Sequence, residues 1–96
     1  MADPDPSTLA ARLHEHLAAT AERPVERSAS RWLGEAEAVA ADAAREDASP
    51  AVVEKRVGQV RDLLSHVDGT GDPEADNHVA AARDLAARVL DGWSGE

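Results

Sequence analysis

The chain has 96 residues, with 19 Asp and Glu against ten Lys and Arg, a net charge of −9 and no cysteine. That size fits one small domain with a modest core. The charge excludes the basic patch that nucleic-acid backbones and anionic membranes attract, and the missing thiols exclude a disulfide framework, a thiolate metal site and a cysteine nucleophile.

The apolar material is thin. Eight Leu and nine Val, with no Ile and no Phe, make 17 of 96 residues. That is below the one-fifth that accompanies disorder when net charge is high. Against it stand 21 alanines, the best helix formers. The segment "MADPDPSTLAARL" has no basic n-region and no apolar h-region, so no signal peptide is expected. No apolar run approaches a membrane span, and the expected location is cytoplasmic.

Prolines mark where helices are predicted to begin, because proline suits the first helical position and a preceding Asp or Ser caps the free amides. The first helix is predicted over about 6–22, striped by Leu9, Leu13, Leu17 and Ala21. The second is predicted over about 24–46, opened by Pro24 and striped by Val25, Ala29, Trp32, Ala36, Val39 and Ala43. The third is predicted over about 50–67, with Val53, Val57, Val60, Leu64 and Val67. The fourth is predicted over about 73–91, with Ala75, Val79, Ala82, Ala86 and Val89. Each is one apolar stripe on a polar helix. Spacings of three and four suit near-parallel packing, and short links make neighbours antiparallel. The predicted fold is all-α: a four-helix up-and-down antiparallel bundle, with dimerisation as a way to complete it. Residues 1–96 then form a single helical domain, with 1–5 and 92–96 as flexible ends.

The link "HVDGTGDPEADNH" (66–78) places Asp68, Thr70, Asp72, Glu74 and Asp76 at alternate positions, the oxygen rhythm of a calcium loop. An EF-hand needs Gly at its sixth position and Glu at its twelfth. Counted from Asp68, Pro73 and Val79 stand there. The stretch therefore reads as a helix–loop–helix connection: Gly69 ends helix three in the left-handed region, Gly71 lets the chain reverse, and Asp72 caps helix four. Weak cation association with Asp68–Asp76 is the residual metal reading. His66 and His78 flank this loop and are placed to approach each other, while His14 and His16 lie on helix one. No Glu-x-x-His pair of the di-iron bundles occurs, so no metal and no cofactor are expected.

"RDLLSH", Arg61 to His66, matches the Arg-x4-His spacing of HEPN ribonucleases, in which two protomers bring these residues to an RNA backbone. The acidic surface opposes RNA binding. Trp32 is expected as a core anchor on helix two or as an aromatic hot spot for a partner. Trp93, beyond helix four, is the second candidate partner contact.

Arg is preferred to Lys, nine to one, alongside abundant Ala, Val and Asp. This composition suits molar salt, where the Debye length is about 3 Å and like-charge repulsion is largely screened. With "RWLGEAEAVAADA" and "VVEKRVGQVRDLLSHVDGTGDPEADNHVAAARDLA", the chain resembles small acidic all-helical proteins of haloarchaea, a domain of unknown function. The resemblance implies no activity and supplies no catalytic residues. The expected function is a non-enzymatic interaction module, an adaptor or homodimerising subunit. The alternatives are a HEPN-like ribonuclease or relic using Arg61 and His66, and an acidic mimic of nucleic acid. The expected partner is a protein or a second copy, with no nucleic acid and no membrane.

Overall fold

In the computed structural model, which describes residues 5–94 with side chains through Asp91, four helices follow one another. They are α1 (Pro6–Thr20), α2 (Arg27–Ala43), α3 (Pro50–Leu64) and α4 (Pro73–Ser94), and no strand occurs among the described residues. Each helix packs on its chain neighbours, α1 and α4 close the ring, and α1 also meets α3 across the middle. The links 21–26 and 65–72 meet at one end through the Glu26 N–H, which donates to the Thr70 carbonyl at 2.7 Å. The link 44–49 lies alone at the other end. This is the expected all-α up-and-down bundle.

The core joins leucines of α1 and valines of α3 to a mostly alanine stripe on α2 and a mixed Val, Leu and Ala stripe on α4. Leu9, Leu13 and Leu17 of α1 and Val53, Val57, Val60 and Leu64 of α3 are buried. From α2 come Ala29, Leu33, Ala36, Ala40 and Ala43, and from α4 Val79, Ala82, Leu85, Ala86 and Val89. Alanine on α2 lets that helix approach closely, which compensates for sparse bulky residues. No described helix is long and apolar enough to cross a membrane.

Three expectations need correction. Pro24 does not open α2, which begins at Arg27. Residues 24–26 stay out of the helix, and Glu26 is tied to the neighbouring link through Thr70. The α2 stripe holds at Ala29, Ala36 and Ala43 but shifts by one residue between them: Leu33 and Ala40 are buried, while Trp32 and Val39 flank the core half-buried. Finally, α3 ends at Leu64 with a helical Ser65 cap, and Gly71, not Gly69, carries the positive φ of 81°. Two tighter bonds, His66 N–H to Leu63 and Val67 N–H to Leu64, finish that end and bring Val67 back into the core. Of the expected flexible ends, 1–5 and 92–96, residues 1–4 and 95–96 lie outside the described residues, while Asp5 caps α1 and α4 continues through residues 92–94.

Candidate binding site on the α2–α3 face

Caps and acid–base pairs set the polar geometry. At α4, Asp72 accepts the Ala75 N–H at 2.9 Å and pairs with Arg23, whose Nε and Nη2 stand 3.0 and 3.2 Å from its two carboxylate oxygens. The Arg23 hydrogen bond, then the Ala75 amide, hold this carboxyl below the usual aspartate range. Beside it the buried Thr70 hydroxyl accepts the Asp72 N–H at 3.1 Å. Its single proton has two acceptors, the Asp72 carbonyl at 2.9 Å and the Asp76 carboxylate at 2.8 Å. Asp76 also accepts the Thr70 N–H at 2.9 Å. Three of the five alternating oxygen residues of the 68–76 stretch thus serve the fold: Thr70, Asp72 and Asp76 satisfy one another and the first turn of α4. Arg83 of α4 adds a clamp, donating Nη2 to the Leu64 and Val67 carbonyls at 2.7 and 2.6 Å. A cation there suits the free carbonyls at the end of α3.

The histidines pair differently from the expectation. His66 and His78 do not meet. His66 lies exposed past α3 with its ring stacked on Trp32, centroids 4.1 Å apart and planes 12° apart. His78 instead meets His16 across α1 and α4, the two Nδ1 atoms 2.9 Å apart. Sequence reasoning missed both contacts. The signal for the second was faint: both residues stand one position from a buried stripe, Leu17 on α1 and Val79 on α4. Among the described residues no three His, Asp or Glu side chains converge on a common point.

Trp32 belongs to an apolar seam between α2 and α3. Val39 stands seven residues, two turns, after Trp32 and therefore on the same flank. On α3, Val52 is 40 % exposed, and Leu63 follows it three turns later on the same flank. That flank faces α2, because Arg56, one turn after Val52, reaches Asp42 at 4.0 Å and His66, just past Leu63, stacks on Trp32. Arg61 is exposed in the last turn of α3. Among the described residues no hydrogen bond or ring contact joins it to His66. Trp93 falls within α4, which runs to Ser94, and not beyond it; its side chain lies outside the described residues.

A family model described as Domain of unknown function (DUF8152) matches residues 9–95. No curated protein and no solved structure matches the chain.

Proposed function

We propose a binding role for this chain, which belongs to the DUF8152 family: it is a non-enzymatic interaction module that pairs with a second copy of itself along the α2–α3 seam. The observation that carries this reading is the position of Trp32. The α2 stripe is mostly alanine, yet the indole stands beside it, half-buried, against the exposed His66 ring. Tryptophan is enriched at the centres of protein contacts, where a rigid ring buries much area at little entropic cost. Val39, Val52 and Leu63 extend the apolar strip on either side.

The same reading places the protein in the salt-rich cytoplasm of a halophilic archaeon. A net charge of −9 over a core of Leu, Val and Ala leaves self-repulsion to be screened by salt. Sedimentation in molar KCl should give a dimer that Trp32→Ala dissociates while the helical circular dichroism persists. A monomer at every concentration, with Trp32→Ala only lowering the melting point, would leave Trp32 as a core edge and remove the pairing. Helicity should fall as KCl is withdrawn, and an unchanged melting point in dilute buffer would remove the salt adaptation.

A further inference from the structure

We propose that His16 and His78 form a two-histidine site for a divalent transition-metal ion that takes nitrogen ligands at right angles, copper(II) or nickel(II). The two rings come from neighbouring helices of opposite direction and present the same atom, Nδ1, to each other at 2.9 Å. Imidazole nitrogens sit about 2.0–2.1 Å from a bound ion, so two such ligands stand about 2.9 Å apart at a right angle and about 3.3 Å apart at the tetrahedral angle. The observed separation fits the first, and it is equally the length of the N–H···N hydrogen bond that the two rings make without an ion. Square-planar and tetragonal nitrogen sites belong to copper(II) and nickel(II), and copper(II) binds the tighter of the two.

The rings are already placed. Both are half-buried, tilted 46° with centroids 5.2 Å apart. Each is next in sequence to a buried valine or leucine of the core, Leu17 and Val79. Little ordering is left for an ion to impose. Without an ion, one Nδ1 proton is shared between the rings; with one, both Nδ1 atoms are bare and each ring carries its proton on Nε2. Water fills the remaining coordination positions. The setting favours cations. Glu15, Glu22 and Glu74 line a surface depression that also contains His14 and His78, with Arg23 the one cation there. Carboxylates around a site raise the local concentration of a positive ion.

The test titrates the full-length chain with NiCl2 and with CuCl2 in molar KCl, read by calorimetry and by the imidazole NMR signals. One ion per chain should bind, copper the tighter, and nickel should broaden the His16 and His78 ring signals before those of His14 and His66. His16→Asn and His78→Gln should each abolish stoichiometric binding with helicity retained, whereas His14→Asn and His66→Asn should leave it intact. The ring signals of the parent protein read the site even where a variant fails to fold. Absence of one-to-one binding, broadening centred on His14 or His66, or binding that survives His16→Asn overturns the assignment. The pairing at Trp32 is read by sedimentation without metal, so each idea fails on its own measurement.

Discussion

The two ends of the bundle are built from similar residues and held in different ways. At the end where the links 21–26 and 65–72 meet, Arg23, Thr70, Asp72 and Asp76 share hydrogen bonds, and Thr70 and Asp72 are buried. At the other end Arg45 and Asp47 also form a two-pronged pair, at 3.2 and 3.2 Å, and Ser49 caps α3 at 3.3 Å. There every one of these side chains is exposed. The same chemistry therefore counts differently. A desolvated group that loses its partner is left with an unmet hydrogen bond, whereas an exposed one turns to water. The first end fixes how α1–α2 sits on α3–α4; the second only closes a turn.

The sharpest break is Thr70→Val. Valine keeps the shape of threonine and removes the hydroxyl, leaving the buried Asp72 N–H without its acceptor. Such a loss costs about 1–3 kcal/mol, and each kcal/mol moves the midpoint of a domain this size by about 4–8 °C. Thermal melting followed by circular dichroism should show it. A midpoint within a degree of the parent would mean that water replaces the hydroxyl and that the two ends are alike.

The glycines of the link 65–72 divide next. Gly71 holds φ at 81°, and an added Cβ would stand 3.0 Å from the Glu26 side chain. Gly71→Ala should cost roughly 1–2 kcal/mol, the strain of left-handed backbone, with some further displacement of Glu26. Gly69 is not in that region, and nothing lies within 4 Å of its Cβ position. Gly69→Ala should be neutral or stabilising by about 0.4–1 kcal/mol, through the unfolded chain. Equal midpoints for the two variants would contradict the assignment of the turn to Gly71.

Acid should loosen the Asp72 end. The Asp72 carboxyl is held low by Arg23 and the Ala75 amide, so at mildly acid pH the unfolded chain binds more protons than the folded one. That contribution is complete above the ordinary aspartate value, about 3.9, and is lost as pH falls through the lower folded value. The melting midpoint should therefore drop below about pH 4, and the drop should be shallower in Asp72→Asn. Asp5 is also held low, by the Thr8 amide it caps, so part of the slope should remain in that variant. An unchanged slope in Asp72→Asn would assign the acid sensitivity elsewhere.

Helix number and order were legible because each stripe and each Asp-Pro or Ser-Pro start is a local signal. Asp5 before Pro6, Ser49 before Pro50 and Asp72 before Pro73 all mark observed helix starts. Pro24 failed because the neighbouring residues answer to a distant partner: Glu26 is bonded to Thr70, 44 positions away by the difference of their numbers. The shift from Trp32 and Val39 to Leu33 and Ala40 on α2 was not legible either: Trp32 and Leu33 both extend the Ala29, Ala36, Ala43 stripe, and the local pattern does not choose between them. The His16–His78 contact spans 62 positions and has no local signature at all. Single-sequence patterns report which face of a helix is apolar; they do not report which flank meets which neighbour.

The smallest effects belong to the exposed end and close the comparison. Ser49 caps α3 through its hydroxyl, which accepts the Val52 N–H at 3.3 Å, longer than the 2.9 Å of the Asp72 cap. Removing an N-cap typically costs about 0.5–2 kcal/mol. With a long bond, and water at hand to replace it, Ser49→Ala belongs at the low end of that range, about 0.5 kcal/mol. Asp47→Ala removes one half of an exposed ion pair and should cost about 0–1 kcal/mol, falling toward zero in molar salt, where such pairs are screened. In molar salt, where the ion-pair share vanishes, the two changes combined should lower the midpoint by less than Thr70→Val alone. If the double variant instead melts as far below the parent as Thr70→Val, the link 44–49 is as well fixed as the Asp72 end, and exposure does not separate the two.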